Sequence, residues 1–269
     1  MLRVGVLGAG GRMGIEVCKA VAGDPELDLV AAVDPRLAGI DLRQVTGLDA
    51  DGLQIAGHVE ALELAEVDVA VDFTVAGAAR EHLRWCADHG VHVVLGTTGL
   101  DASDLADVSQ WFSDSKANCL IAANFAIGAV LMLRFAELAA PFMDGVEVVE
   151  MHHDGKVDAP SGTALRTAEA LVTGRLAAGG DPWPEDSTVT EVIAGSRGAL
   201  TPGGVRVHSI RLPGLVAHQE VLMGAVGQCL TLRHDAFDRT SFMPGVLLAV
   251  RAVPDRQGLT VGLGPLLGF

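Results

Sequence analysis

A glycine-rich loop between a strand and a helix is the feature that most constrains this chain. The apolar run RVGVLG (3–8) predicts a strand, and MGIEVCKAVAG (13–23) has the apolar spacing of a helix. The loop between them, GAGGRMG (8–14), allows a sharp turn and a close approach to a phosphate at the start of a helix. The segment therefore predicts the first β-α unit of a dinucleotide-binding sheet. The alternative is a tight strand-to-helix turn without a ligand.

Asp34 closes the second predicted strand (29–34) and bears on the choice of cofactor. A carboxylate at this position accepts hydrogen bonds from the adenosine ribose hydroxyls and repels a 2′-phosphate, which favours NADH. Arg36 and Arg12 favour NADPH instead, because a guanidinium pairs with that phosphate. These residues leave both NADH and NADPH open.

The other strands of the first half are nearly continuous apolar runs, which is typical of parallel strands covered on both faces. They are predicted at 67–73, 91–96 and 118–123. With a helix at 76–90 between two of them, this alternation predicts a doubly wound parallel α/β sheet. Ligands of such sheets bind at the carboxyl ends of the strands, where the loops GTTG (96–99) and AANF (122–125) follow. We expect both loops to face the cofactor, with ordinary turns as the alternative.

From about residue 126 the pattern changes and strands dominate. Helices are expected at 126–143 and 162–173, and strands at 146–153, 188–194, 205–212, 218–225 and 228–234. This pattern predicts an α+β domain with a mixed or antiparallel sheet. A last helix is expected in SFMPGVLLAVRAV, with Pro244 in its first turn. The less regular stretch 37–65 predicts only a loop or short helix and a weak strand near 53–56.

The segment EMHHDGKVDAPSGTAL gathers titratable groups and a possible anion site. His152 and His153 end a predicted strand, so their side chains point to opposite faces and do not easily chelate one metal ion. Lys156 follows a glycine, and Ser161-Gly162-Thr163 opens a helix whose first N–H groups form an anion site. The segment therefore predicts a carboxylate-binding site with imidazole as a proton source. The alternative is a structural pair of histidines.

Several segments resemble one family over essentially the whole chain. HHDGKVDAPSGTA resembles the H-H-x-x-K-x-D-A-P-S-G-T-A signature of the 4-hydroxy-tetrahydrodipicolinate reductases, also called dihydrodipicolinate reductases. The segments GAGGRMG, GTTG, ANFAIG, LVAHQEV and RTSFMPGVLLAV look like that family in the expected order. The long signature is far more specific than the glycine loop.

The resemblance implies a fold and an activity. The expected fold is a Rossmann-like dinucleotide-binding domain (1–126, with 241–269 returning to it) and a substrate-binding and oligomerisation domain (127–240). The expected activity is reduction of a cyclic imine dicarboxylate to tetrahydrodipicolinate by NADH or NADPH, in the diaminopimelate route to lysine. Family members are typically homotetramers assembled through the sheets of the second domain.

The resemblance also implies roles for single residues. His152 would be the general acid, and Lys156 would be a second proton donor that also neutralises charge. A substrate carboxylate would be bound by His153, Gly162 and Thr163. The residues lining the cofactor would be Gly8, Ala9, Gly10, Gly11, Arg12, Met13, Asp34, Gly96, Thr97, Thr98, Ala122, Ala123, Asn124 and Phe125.

Two positions depart from the family pattern. Asp154 places an acid between the histidines and the lysine, where many relatives carry a basic or neutral residue. Pro35 stands where relatives that favour NADPH often place Arg, and Arg36 follows one position later. The first departure lowers the positive charge of the predicted pocket, and the second keeps the cofactor preference open.

Charge and apolar content argue against other classes of function. The formal net charge of -15 disfavours nucleic acid and an anionic membrane surface as partners. The most apolar segment, FAIGAVLML (125–133), is too short to span a bilayer. The four cysteines, Cys18, Cys86, Cys119 and Cys229, form no C-x-x-C pair and fit no zinc template. We therefore expect reduced, buried thiols, no bound metal and a cytoplasmic location.

Two other functions stay open on the residues alone. Another nicotinamide oxidoreductase of similar two-domain build would carry its own signature, for instance a catalytic Lys in an E-K-P run, and no such run occurs. A nucleotide sensor without catalytic activity would bind NADH without turning it over. Such a sensor would not need the cluster of His152, His153 and Lys156.

Overall fold

The computed structural model describes residues 1–48, 52–184 and 186–269. The chain divides into two units, of which the first contains Met1–Ile127 and Phe242–Phe269 and the second contains Gly128–Ser241. Each unit carries one β-sheet. None of the helices in the described ranges combines the length and the apolar content that a membrane span requires.

Strands and helices are numbered along the chain. The strands are β1 (Leu2–Leu7), β2 (Leu27–Val33), β3 (Val69–Asp72), β4 (His92–Leu95), β5 (Cys119–Ile121), β6 (Gly145–His152), β7 (Ala199–Leu200), β8 (Arg206–Arg211), β9 (Ala217–Ala225), β10 (Gln228–Ala236) and β11 (Leu259–Val261). The helices are α1 (Arg12–Ala22), α2 (Leu42–Thr46), α3 (Ala61–Leu64), α4 (Ala76–His89), α5 (Ala102–Ser113), α6 (Ile127–Ala139), α7 (Gly162–Ala177) and α8 (Met243–Ala252). Short 3-10 helices occur at Ala140–Phe142, Arg239–Phe242, Val253–Asp255 and Gly264–Leu266.

The first unit is built on a parallel six-stranded sheet with the order β11-β5-β4-β3-β1-β2. Every residue of β3 and β5 is buried, because helices α1, α4, α5 and α8 pack against the sheet. From β1 the chain moves to β2 on one side and then to β3 on the other. The carboxyl ends of β1 and β3 therefore border the place where ligands bind in such sheets. The predicted doubly wound sheet is confirmed.

Helix α5 is absent from the sequence-based prediction. It begins after Asp101, whose side chain accepts the N–H groups of Ser103 and Asp104, while the Asp104 side chain accepts the Asp101 N–H. This reciprocal capping satisfies N–H groups that a helix start leaves unpaired. The spacing Asp-x-x-Asp was the signal that could have located the helix.

The irregular stretch after β2 differs from the prediction in one respect. Helices α2 and α3 account for the expected short helix, but residues 53–56 form no strand. Gln54 and Ala56 instead make isolated bridges to Asp41 and Val33. Residues 49–51 of this stretch lie outside the described residues.

The C-terminal segment of the first unit is fixed to the sheet by strand pairing and by one side chain. β11 pairs in parallel with β5. The Asn118 side chain donates to the carbonyls of Val253 and Pro254 at 3.1 and 2.8 Å and accepts the Gly258 N–H at 3.0 Å. Helix α8 carries a proline in its first turn, as predicted.

The second unit is built on a five-stranded sheet with the order β10-β9-β6-β8-β7. β6 and β8 are parallel and the other neighbours are antiparallel, so the predicted mixed sheet is confirmed. Val148, Val207 and Val221 share a buried apolar cluster with Leu171 of α7 and Met132 of α6. One face of the sheet is therefore covered by these two helices.

Two predictions for the second unit are wrong. Residues 188–194 form no strand, although their composition favours one, and Val189, Val192 and Ile193 are highly exposed. β-branched residues stabilise a strand by packing against neighbours, and this segment has no such surface. Cys229 is exposed, because it alternates onto the solvent side of β10, whereas the other three cysteines are buried.

Candidate active site

The glycine loop lies at the carboxyl end of β1, against the end of β2. The N–H groups of Gly8 and Ala9 both donate to the Val33 carbonyl, at 2.8 and 3.1 Å. The Gly10 N–H donates to Asp34 Oδ2 at 3.1 Å, and Gly8 has a left-handed φ of 77°. The loop is therefore held by backbone contacts, and the predicted carboxylate of Asp34 lies beside it.

The loop requires glycine at more than one position. A Cβ at residue 14 would lie 2.0 Å from the Gly8 carbonyl oxygen, and residue 8 has a left-handed φ, which favours glycine. Helix α1 starts after Gly11, which has no side chain to cap the first N–H groups. An uncapped helix start beside a close-packed glycine loop is the arrangement that holds a pyrophosphate. The residues present therefore fit a dinucleotide.

Asp34 is already engaged by the backbone on both oxygens. Besides the Gly10 contact, its Oδ1 accepts the Arg36 N–H at 3.0 Å. A carboxylate has about four acceptor positions, so capacity remains for ribose hydroxyls. The Arg36 side chain is exposed, as is that of Arg12. The carboxylate of Asp34 and the guanidinium groups of Arg12 and Arg36 thus all lie in or near the loop. The preference between NADH and NADPH therefore stays open.

The loops after β4 and β5 lie at the same edge of the sheet. The Ala122 N–H donates to the Leu95 carbonyl at 3.0 Å, and the Thr97 hydroxyl donates to the Thr74 carbonyl at 3.1 Å. Gly96 lies against the ring of Phe73, where an added Cβ would come within 2.0 Å of the ring. The Phe73 ring also packs on Phe125, with centroids 5.6 Å apart. These predicted cofactor loops are therefore brought together.

The Phe73–Thr74 turn joins these loops and was missed by the sequence analysis. It is anchored by Asp72, a fully buried carboxylate that accepts the Thr74 N–H at 2.8 Å and the Thr74 hydroxyl at 2.6 Å. His82 Nδ1 lies 2.7 Å from the other oxygen of Asp72. The available signal was position, because this turn follows β3, the neighbour of β1 in the sheet.

His152 and His153 take different environments, as their positions predict. His152 is the last residue of β6 and is partly buried, with Nδ1 2.5 Å from Glu150 Oε2. His153 follows the strand and is exposed. Burial lowers the pKa of His152 below its ordinary value, and the hydrogen bond that its Nδ1–H donates to Glu150 opposes that effect. Within the described ranges, no group of three His, Cys, Asp or Glu side chains is placed to hold a metal ion.

Lys156 lies in the loop after β6 and is paired with a carboxylate. Its Nζ donates to both oxygens of Asp158, at 2.7 and 2.8 Å. The Lys156 side chain is largely buried, whereas that of Asp158 is mostly exposed. The positive charge of the ammonium also lowers the pKa of His152, because it disfavours the protonated imidazole.

The start of α7 is fixed from two sides. The Ser161 hydroxyl accepts the Ala164 N–H at 3.2 Å as a helix cap, and Glu150 Oε1 accepts the Ser161 N–H at 3.2 Å. Gly162 is exposed at the first helical position, and its missing side chain leaves room beside the backbone. The predicted anion site is therefore a helix start anchored to the same strand as His152.

Glu150 and Arg211 are two residues of this region that the sequence analysis did not single out. Arg211 at the end of β8 donates to both oxygens of Glu150, at 2.9 and 2.8 Å, and to the Asp158 carbonyl at 2.7 Å. Although burial opposes ionisation, these hydrogen bonds hold the pKa of Glu150 below its ordinary value. The available signal was the strand period, which places Glu150 on the same face as His152.

The fold and these two groups of residues define a class of protein. A parallel sheet with a glycine loop that fits a dinucleotide, together with a unit that carries imidazole, ammonium and a glycine at the start of a helix, is typical of a nicotinamide-dependent oxidoreductase. Residues 2–125 match the family described as dihydrodipicolinate reductase, N-terminus, and residues 128–267 match dihydrodipicolinate reductase, C-terminus. The chain belongs to the dihydrodipicolinate reductase family.

Relatives in several bacteria share this assignment. A 4-hydroxy-tetrahydrodipicolinate reductase of Nocardia farcinica is 50% identical over 267 residues, which cover 99% of this chain and 98% of the relative. The enzyme of the same name from Cutibacterium acnes is 47% identical, with full coverage of both chains. A dipicolinate-bound dihydrodipicolinate reductase from Paenisporosarcina sp. TG-14 superposes with a TM-score of 0.85 at 38% identity, covering 98% of this chain and 99% of the other. The match therefore extends over both units.

Proposed function

We propose that the protein reduces 4-hydroxy-tetrahydrodipicolinate to tetrahydrodipicolinate in the diaminopimelate route to lysine. The reaction takes hydride from NADH or NADPH and one proton, and the 4-hydroxyl group of the substrate leaves as water. The observation that carries this proposal is the group formed by His152, Lys156 and the start of α7, in a chain of this reductase family. That group supplies what the reaction needs besides hydride, namely a proton donor and positive charge for a dicarboxylate.

The first unit would hold the cofactor through the loop Gly8 to Met13 and the carboxylate of Asp34. Gly96 to Thr98 and Ala122 to Phe125 would line the same pocket, because their loops lie at the carboxyl edge of the sheet with the glycine loop. When bound, the nicotinamide supplies the hydride. The close packing at Gly14 supports this role. Because residue 14 has no side chain, the Gly8 carbonyl lies directly against the first turn of α1.

The second unit would bind the substrate carboxylates. Gly162 and Thr163 would offer backbone N–H groups at the start of α7, and His153 would add a polar contact from its exposed position. The dipicolinate bound to the Paenisporosarcina relative is a planar dicarboxylate and supports a substrate of this charge. Lys156 would exchange its present partner Asp158 for a substrate carboxylate.

His152 would donate the proton that accompanies the hydride. Burial holds its pKa below the ordinary value in the free protein. A bound dianion raises the pKa of a nearby imidazole, because it stabilises the charged form. The imidazolium would therefore be favoured when the substrate is present, and Lys156 would supply further charge and a second proton.

A homotetramer and a cytoplasmic location are further parts of this proposal. The resemblance supports the first, together with exposed side chains on the strands of the second sheet, such as Ile210 and Cys229. Sedimentation of the purified protein would determine the number of subunits.

The proposal is tested with the purified chain and freshly prepared product of dihydrodipicolinate synthase. We expect the near-ultraviolet absorbance of reduced nicotinamide to fall with NADH, with NADPH or with both. An absence of turnover with either cofactor, in protein that binds NADH, would favour the nucleotide sensor instead. Initial rates measured in parallel with NADH and with NADPH would show which cofactor the enzyme prefers.

A further inference from the structure

Glu150 is a fully buried carboxylate on the same face of β6 as His152. Its Oε2 lies 2.5 Å from His152 Nδ1 and accepts an N–H of Arg211, while Oε1 accepts a second N–H of Arg211 and the Ser161 N–H. Burial of a carboxylate is costly unless such partners are present. The contacts converge from β6, β8 and the start of α7, so this one side chain connects three elements.

The contact with Arg211 determines which nitrogen of His152 carries hydrogen. A carboxylate that accepts hydrogen bonds from two nitrogens of one guanidinium is ionised and can only accept further hydrogen bonds. The atom facing it, Nδ1 of His152, must therefore carry hydrogen in both the neutral and the charged imidazole. The proton that distinguishes the two forms then resides on Nε2.

We propose that Glu150 is a positioning residue for the proton transfer: it holds His152 in the Nδ1–H tautomer, so that the proton leaves from Nε2. This inference rests on the proposed role of His152 as the acid. After Nε2–H breaks and the proton bonds to the substrate, the imidazole is neutral with hydrogen on Nδ1. That is the form Glu150 already binds, so no ring flip is required before solvent returns the proton to Nε2.

The same carboxylate fixes the groups proposed to hold the substrate. Through the Ser161 N–H it sets the start of α7 relative to His152, and through Arg211 it reaches the Asp158 carbonyl in the Lys156 loop. Contacts with this one buried carboxylate, direct or through Arg211, therefore position His152, the start of α7 and the loop that carries Lys156. Preorganisation of this kind keeps reacting groups within the small tolerances that catalysis requires.

Three charges face His152 and set the direction of any change with pH. Glu150 lies on its own strand, Arg211 comes from β8 and Lys156 from the following loop. The carboxylate stabilises the imidazolium, and the two cations oppose it. Replacing Glu150 by neutral Gln therefore lowers the pKa of His152 and removes the acceptor for Nδ1–H.

Glu147 offers a matched control three residues earlier on the same strand. Its carboxylate is paired with His208 Nε2 at 2.7 Å and with Arg197, so it repeats the partners of Glu150. It is partly exposed and has no link to His152 or to α7 in these contacts. Glu147→Gln therefore removes one negative charge from β6 and leaves the contacts of Glu150 with His152 unchanged.

The first experiment uses the unaltered protein and no substrate. Long-range proton–nitrogen NMR of labelled imidazoles reports the tautomer of each neutral histidine, and the His152 signals among nine histidines are identified by their loss in His152→Gln. We expect neutral His152 to be the Nδ1–H tautomer. A neutral Nε2–H tautomer would overturn the inference even if the enzyme is active, and even if a Glu150 variant cannot be purified.

The second experiment compares Glu150→Gln with Glu147→Gln by kinetics and the same NMR titration. We expect Glu150→Gln to lose about 10- to 100-fold in kcat, with a smaller change in KM, because general acid catalysis contributes about 10²–10⁴-fold. The falling limb of its kcat–pH profile should move to lower pH, and Glu147→Gln should match the unaltered protein. A folded Glu150→Gln protein with unchanged kcat and pH profile would overturn the inference, whereas an inactive unaltered enzyme would count against the proposed function alone.

Discussion

The proposed cofactor site and the proposed substrate site are built by opposite means. In the first unit, backbone N–H groups and missing side chains create the glycine loop, as the contacts of Gly8, Gly10 and Gly14 show. In the second unit, the site is formed by charged side chains, with the partly exposed Arg211 paired to the buried carboxylate of Glu150 beside His152. We call the first the backbone-built region, because it depends on backbone contacts and on positions without side chains. We call the second the charge-built region, because it depends on the placement of charged side chains.

The two regions should therefore tolerate different substitutions. Adding a methyl group should damage the first region more than removing a side chain. Removing one charge should damage the second region more than a change of shape.

His152→Gln tests the charge-built region most severely. Glutamine preserves much of the size of the side chain but has no titratable proton, so we expect kcat to fall about 10²-fold or more. Steady-state rates with saturating cofactor measure the effect. His153→Gln is the matched control, because the neighbouring imidazole is exposed, and it should raise KM rather than lower kcat. Equal losses of kcat in both variants would contradict the assignment of the acid.

Lys156→Met keeps the aliphatic stem and removes the ammonium. We expect kcat/KM to fall about 10- to 100-fold, since a buried charge-assisted contact to a carboxylate contributes about 1.5–3 kcal/mol. Asp158→Asn is the informative partner variant, because it releases the ammonium from its present ion pair. It should leave kcat/KM equal to or above that of the unaltered protein. A strong loss in Asp158→Asn would show that the ion pair itself is needed.

Gly14→Ala tests the backbone-built region. The new Cβ would lie 2.0 Å from the Gly8 carbonyl oxygen, so the loop must shift. We expect a loss of stability of about 1–3 kcal/mol, as for overpacked sites, and weaker NADH binding. Urea unfolding and NADH titration measure the two effects. In Gly77→Ala, the added Cβ would meet no atom within 4 Å apart from its chain neighbours and the backbone of α4, so this variant should be neutral or slightly stabilising.

Asp34→Asn should give the smallest effect. The amide keeps one oxygen for a backbone N–H and removes the charge that repels a 2′-phosphate. We expect the rate with NADPH relative to NADH to rise about fivefold, because an exposed charge contributes about 1 kcal/mol or less. Paired initial rates measure the ratio. An unchanged ratio would show that Asp34 does not face the ribose.

The sequence predicted the backbone-built region well, because its physical cause is local. Glycines between an apolar strand and a helix can be recognised without knowing any neighbour, and the parallel sheet followed from nearly continuous apolar runs. The anchor at Asp72 was missed although its partner Thr74 is only two residues away, because the predicted strand was extended through Phe73.

The charge-built region was only partly predictable. The signature located His152 and Lys156, but Glu150 and Arg211 meet across 61 positions of sequence, and only the pairing of β6 with β8 brings them together. The incorrect prediction of a strand at 188–194 also reflects long-range packing, because the apolar residues of this segment have no neighbouring surface to pack on. Long-range partners, rather than local pattern, decided each of these outcomes.

Transfer of hydride from the nicotinamide to the substrate can be measured from the mass of the product. The purified chain is supplied with the synthase product and NADH in which both C4 hydrogens of the nicotinamide are deuterium. We expect tetrahydrodipicolinate that is one mass unit heavier than the product formed with ordinary NADH, because one deuterium is transferred. A product of unchanged mass, or no product at all, would contradict the proposed function.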